Sequence, residues 1–251
     1  MLYDAQQNHF YRLKGNITLL RTLLCMLCFY MSSYCLAANT LPAPHFAPDV
    51  HWITVPEIEK SLKDTPPMNV GFDIDDTLLT PKAAFEIAFG KHCPLDHTHE
   101  KHSCKKEPHF WDTLNSTAST QLTPTKAVAK ALIDMHKRRG DTIYFITARE
   151  KGPNKNETLS QFLRSTFQIT HMQPVIFVGM KGLDREKPAK APAIQKNNIQ
   201  IFYGDADGDI AAAKHSNIRG IRVIRHPSSQ DSYDMPINGL YGEEVIRNSE
   251  L

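Results

Sequence analysis

The sequence predicts an α/β fold, a parallel sheet covered by helices on both faces. Three observations carry that prediction. Short apolar runs recur along the chain, at residues 68–72, 143–146, 175–178, 201–203 and 220–224. Longer stretches with helical periodicity or small apolar residues separate them. Three of the runs end in chemically reactive residues rather than in hairpin turns: Asp73, Thr147 and Asp205. Strands that alternate with helices need crossover connections, and crossovers make parallel pairs.

The elements follow in order. Residues 1–37 hold Arg12, Lys14 and Arg21, then an apolar run at 23–31, then small residues before Ala37 and Ala38. That run is too short to span a bilayer comfortably and reads as the core of a cleaved export signal, so no stable membrane anchor is expected. The expected location is the periplasm. Residues 38–50 are rich in Pro and polar residues and read as an extended arm. Residues 51–251 are one domain. Within it, 56–63 is a short helix with Pro56 in its first turn, and 68–72 is a strand. Residues 81–90 look helical, and 91–110 form an irregular insertion dense in His, Cys, Lys and Pro. Residues 125–139 are an amphipathic helix stopped by Gly140. Further helices are read at 154–167, 192–197 and 206–215.

Composition sets bounds. A hydrophobic content of 41% is ample for a core. A formal charge of +2 with no Lys/Arg-rich run argues against a nucleic-acid polymer as partner. Removing residues 1–37 takes away three of 29 basic and one of 27 acidic residues, which leaves the remainder balanced. Of five cysteines, Cys93 and Cys104 survive that cut. In an exported protein they form either a bridge that pins the insertion or two free thiols. His92, His97, His99, His102 and His109 fall in or beside the same insertion. Their spacing fits no compact zinc site well, and a solvated loop is the better reading.

The chemistry lies at the strand ends. The run Phe72-Asp73-Ile74-Asp75-Asp76-Thr77 carries three carboxylates in four positions. A helix cap needs one such residue, not three, and like charges this close repel. A bound divalent cation would resolve that. Strand alternation sends Asp73 and Asp75 to one side and Ile74 to the core. A second cluster, Asp205, Asp207 and Asp209, follows the run 201–203. It lacks the terminal Glu of a calcium loop and runs at once into a helix, so magnesium is the better candidate. The run 143–146 ends in Thr147, Ala148 and Arg149, and Lys187 and Lys190 precede the second acidic cluster. In open parallel sheets, ligands bind beyond the carboxyl ends of the strands, where these residues would meet.

An acidic pair, then Thr, then Lys, then Gly-Asp-x-x-x-Asp resembles the motif order of the haloacid dehalogenase superfamily. The blocks 51–53, 66–68, 72–79, 132–136, 138–141, 201–210 and 242–246 are similar to those of bacterial class B acid phosphatases. The resemblance implies a Rossmann-like fold with a small cap insertion after the first motif. It implies a magnesium-dependent hydrolysis of small phosphate monoesters, nucleotides among them, through an aspartyl-phosphate, with phosphotransfer to alcohols as a related outcome. It also implies a homotetramer. Carried over residue by residue, Asp73 is the nucleophile and Asp75 the general acid and base. Asp73, Asp205, Asp209 and the backbone carbonyl of Asp75 are metal ligands. Thr147, Ala148, Arg149 and Lys190 bind the phosphate, with Lys190 preferred to Lys187 on spacing. Phe85 falls where the family has a pocket aromatic, although a core helix residue would read the same way. Departures are Gly179-Met180, Ala148, Ala206 and Gly208. None removes a reacting group. The alternative is a catalytically silent phosphate-ligand binder, against which the intact Asp73 and Asp75 argue.

Overall fold

The computed structural model describes residues 50–93, 104–116, 123–154, 157–179, 188–229, 237, 239 and 241–251. These belong to one compact unit, Phe46–Leu251. The expected signal, the arm up to residue 49, His97, His99, His102, Met180 and Lys187 lie outside the described residues.

The elements are β1 (His51–Ile53), α1 (Val55–Ser61), β2 (Asn69–Phe72), α2 (Lys82–His92), α3 (Pro108–Leu114), α4 (Ala127–Arg139), β3 (Thr142–Thr147), α5 (Thr158–Phe167), β4 (Ile176–Phe177), α6 (Ala191–Lys196), β5 (Ile201–Gly204), α7 (Asp207–His215), β6 (Arg219–Arg222) and β7 (Glu244–Ile246). The strands form one seven-stranded sheet in the order β1-β7-β6-β5-β2-β3-β4. Every pairing is parallel.

Period-two alternation divides the strand residues between two cores. Val70, Phe72, Ile143, Phe145, Ile201, Tyr203 and Ile221 face one way, onto Ile58 of α1, Leu132 of α4 and Leu163 of α5. Ile146 and Phe202 face the other way, onto Ala191 and Ile194 of α6 and Ala212 and Ala213 of α7. Helices therefore cover both faces, as the alternation of strands and helices predicts. Local signals set the helix ends. Thr54 and Glu57 form a reciprocal capping box at the start of α1. Gly140 ends α4 at φ 78°, a left-handed conformation that costs glycine little.

The structure differs from the sequence reading at two places. β1 and β7 pair with each other at the sheet edge. At three residues each they are too short to show a period. The insertion at 91–110 is not irregular throughout: α2 runs on to His92, and α3 starts at Pro108. Glu107 caps α3 by accepting the His109 amide at 2.9 Å. Phe110, Trp111 and Leu114 then pack on Ala84 and Ala88 as a separate small core. Lys91, Cys93 and the polar residues beside them obscure that pairing in the sequence.

The order places β2 between β3 and β5. From β2 the chain winds through β3 and β4 to one edge, then returns through β5, β6 and β7 toward the other. The point where the winding reverses, at the carboxyl end of β2, is where such sheets open a crevice. Asp73 stands there.

Candidate active site

Asp73 still belongs to the sheet, since its amide donates to the Tyr203 carbonyl at 2.8 Å. The chain then turns. Leu78 and Leu79 donate to the Ile74 carbonyl and Asp76 donates to that of Leu79. Asp76 takes a left-handed φ of 58° to make the turn, a conformation Asp tolerates better than most residues. Strand alternation therefore stops at Phe72, and the carboxylates of Asp73 and Asp75 take different partners. The next helix begins only at Lys82, and no side chain caps it, which disposes of the helix-cap reading of this acidic run.

Asp73 Oδ1 accepts from Lys190 Nζ, and Lys190 also donates to Asp209 Oδ1 at 2.6 Å. Thr77 Oγ1 lies 3.0 Å from Asp73 Oδ2 and 2.9 Å from Asp205 Oδ1. Its single proton serves one of them at a time. Asp205 is held further by Arg225 on Oδ2 and by Arg222 Nη1, which reaches its carbonyl at 2.9 Å. Asp209 Oδ2 accepts the Ala206 amide at 3.1 Å and so tethers the start of α7. Gly204 permits this approach: a Cβ there would lie 2.3 Å from the Cβ of Asp209.

Burial governs the electrostatics. It pushes the Asp73 carboxyl well above the usual range. Lys190 opposes that, while Asp209, Asp205 and Asp75 add to it. Asp76 is pushed up to about 7, chiefly by burial and then by Asp205. One of its oxygens, Oδ1, is buried without a hydrogen-bond partner among the described residues. For Lys190, burial pulls the pKa down, but Asp209 and Asp73 prevail and it is raised. Lys126, buried under the same turn, is brought down to about 8 by burial.

This donor set fits a hard divalent cation. Asp73, Asp205 and Asp209 are all buried, and each offers an oxygen within 4.8 Å of the others. Burial is the main reason Asp73 resists ionisation, and Asp209, Asp205 and Asp75 add to it; a cation among these oxygens would oppose both effects. Oxygen-only ligation suits magnesium better than zinc.

The remaining expected residues divide. Thr147 ends β3, buried, and its hydroxyl accepts the Arg149 amide at 3.1 Å. Ala148 is half-buried beside it. Arg149 does not stand open toward the cleft as a phosphate ligand would. Its Nε donates to Asp75 Oδ2 at 2.8 Å and its Nη2 to Asp75 Oδ1 at 2.6 Å. Phe85 is half-buried in α2, stacked on Phe89 with ring centroids 6.0 Å apart, and Lys105 Nζ lies 5.3 Å over its ring. Cys93 and Cys104 are bridged, with Cα atoms 5.4 Å apart.

The sequence reading missed several residues that hold the site. Thr77 closes the first acidic run in the sequence, and its hydroxyl bridges Asp73 and Asp205 in the structure. Arg222, 2% exposed, joins Asp205 to Asp207 and to Glu243. Lys126 donates to the carbonyls of Asp76 and Ile224. A signal for Arg222 was present, because a charged residue inside a run expected to be buried needs a partner. No comparable signal marks Lys126.

The comparisons with known proteins agree with this geometry. A family model described as "HAD superfamily, subfamily IIIB (Acid phosphatase)" matches residues 49–233. A class B acid phosphatase of Salmonella typhimurium is 44% identical over 203 residues, covering 80% of this chain and 81% of that protein. One from Enterobacter sp. is 39% identical over 248 residues, covering 93% and 98%. Among solved structures, a haloacid dehalogenase-like hydrolase from Streptococcus pneumoniae is 14% identical and superposes with a TM-score of 0.47, covering 73% of this chain and 95% of that one. With a family match across most of the chain and relatives this similar over most of their length, the chain belongs to the acid phosphatases of HAD subfamily IIIB.

Proposed function

We propose that this acid phosphatase is magnesium-dependent and hydrolyses small phosphate monoesters, nucleotides among them, through a phosphorylated Asp73. The observation that carries the reading is the position of Asp73. It stands just past the end of β2 at the winding reversal, bonded to Lys190 and within 4.8 Å of oxygens from Asp205 and Asp209.

Asp73 Oδ attacks phosphorus, and the bond from phosphorus to the ester oxygen breaks as the new one forms. Asp75 gives a proton to the departing alkoxide. It then takes one from a water that attacks the phosphoryl group, which returns Asp73 as a free carboxylate with inorganic phosphate released. Lys190 offsets charge on Asp73 and on the transferring group. Thr147 already accepts the Arg149 amide, which directs its own O–H elsewhere, and a phosphoryl oxygen is the acceptor we assign. Magnesium, held by Asp73, Asp205, Asp209 and the Asp75 carbonyl, would lower the repulsion between the Asp73 carboxylate and the phosphate dianion.

An alcohol in place of water would give phosphotransfer by the same steps. Export to the periplasm rests on the apolar run at 23–31. A homotetramer is the assembly the resemblance implies.

The test is a turnover panel of phosphate monoesters, nucleotides included, with magnesium and after exhaustive chelation. We expect turnover that is lost on chelation and restored by magnesium. Full activity in protein shown metal-free by elemental analysis would refute the metal dependence, and no turnover of any monoester would refute the function.

A further inference from the structure

We infer that Asn115 is a positioning residue, which through Arg149 sets the direction of the Asp75 carboxylate. The inference rests on the reading of Asp75 as proton donor given above.

Asn115 ends α3 and is 1% exposed. A buried amide must satisfy both its ends. Its Oδ1 accepts from Arg149 Nη1 at 3.1 Å, and its Nδ2 donates to the Glu150 carbonyl at 3.0 Å. The orientation of the amide is not arbitrary. A guanidinium only donates and a carbonyl only accepts, so one flip state alone satisfies both contacts. Asp in this place would keep the acceptor and lose the donor. Leu would keep neither.

Arg149 is 2% exposed and has five N–H groups to place. Nη1 spends both of its protons on α3, one on Asn115 Oδ1 and one on the Leu114 carbonyl at 3.4 Å. Nε and Nη2 grip the two oxygens of Asp75 in a fork. One Nη2 proton has no partner among the described residues, and only that proton is left to meet a phosphoryl oxygen. The plane of the guanidinium is thus set on one edge by α3, and its other edge orients Asp75. Without Asn115 the Nη1 edge keeps only its longer contact, to Leu114. The planar group can then tilt, and the fork tilts with it.

Proton delivery is sensitive to such a tilt, because the donor must lie in hydrogen-bond reach of the leaving oxygen. Attack by Asp73 is not, since Asp73 is held independently by Lys190. The loss should therefore depend on how much the leaving group needs a proton.

The experiment is a double-mutant cycle of Asn115→Ala and Arg149→Ala, with folding checked by circular dichroism. Single-turnover rates are read on phenyl phosphate, whose leaving group needs the proton, and on nitrophenyl phosphate, whose leaving group does not. We expect Asn115→Ala to lose about tenfold more on phenyl phosphate than on nitrophenyl phosphate. We expect that extra loss to vanish in the Arg149→Ala background. Equal losses on both substrates, or losses that multiply in the double variant, would overturn the inference. A crystal structure of Asn115→Ala gives a readout without activity: a displaced Arg149–Asp75 fork supports the inference, and an unchanged fork overturns it. If the wild type turns over neither ester, the proposed function fails first, and the crystal structure alone decides the role of Asn115.

Discussion

The strand-end site and the insertion at 91–110, with the helices α2 and α3 that flank it, are built on opposite plans. The site is a set of buried charges, each held by groups from other elements. Asp73 depends on Lys190, Asp205 on Arg222 and Arg225, and Asp209 on Lys190. The insertion is held from within. Phe85, Phe89, Phe110 and Trp111 form their own small core, and the Cys93–Cys104 bridge closes its loop. His92 ties its two helices, with Nε2 on Thr113 at 2.7 Å and Nδ1 on Glu107 at 3.0 Å. The two regions meet through polar contacts at the end of α3. The difference teaches that the acidic groups are held by the sheet and its neighbours, while the insertion has a small core of its own and reaches Arg149 and Glu150 through a few hydrogen bonds.

The sharpest way to break that comparison is Asp73→Asn. If reactivity lives at the strand end, turnover falls by at least about 10⁴-fold. The fold should persist, because the change removes one charge from a crowded acidic cluster. Activity assays and thermal melts on one preparation check both halves. Substantial activity in a folded variant would end the nucleophile assignment.

A second test asks whether the site is pH-sensitive when stripped of metal. The Asp76 carboxyl rises from 3.8 unfolded to about 7 folded. Between those values the folded state holds a proton that the unfolded state has released. Metal-free stability should therefore fall as pH rises through that window, then level off above about 7. Asp76→Asn keeps a residue suited to φ 58° and removes the titration. It should raise metal-free stability at pH 8 by on the order of 2–4 kcal/mol, with no gain below pH 4. Denaturant melts across pH test this, and an equal gain at both ends would refute it.

The insertion answers to different chemistry. Cys93→Ser with Cys104→Ser opens a short loop, which should destabilise the insertion by about 2–3 kcal/mol. Amide exchange should quicken in α2 and α3 and stay slow in β2 and β5. Exchange that quickens equally everywhere would show that the insertion is not a separable unit. The smallest effect is expected from Phe85→Ala. If Phe85 meets substrate, KM for aryl phosphates should rise about threefold to tenfold, with small alkyl phosphates unchanged. An equal change for both classes would return Phe85 to a purely packing role.

Much of the sheet was legible from residue pattern. Short apolar runs and a Gly-stopped amphipathic helix are local features, and they located β2, β3, β5 and α4 to within a few residues. The acidic residues were legible because runs such as Asp73-Ile74-Asp75-Asp76 have no ordinary structural purpose. Elements without a period were not legible: β1 and β7, three residues each, exist only because they pair. The helix α3 was hidden for a related reason, since its apolar face is completed by α2 rather than by its own sequence.

The sequence by itself determined which carboxylates end which strands, and therefore the reaction this chain is equipped for. Strand direction and side-chain chemistry are properties of short segments, and short segments announce them. Only the tertiary structure decided the partners. Arg149 reaches back 74 positions to Asp75, and Thr77 lies against an Asp205 that is 128 positions away. Asn115 meets Arg149 across 34 positions, on an amide whose two ends are satisfied by neighbours from another element. Contacts of that range depend on how helices and strands stack, and stacking is set by the packing of the whole core rather than by any one segment.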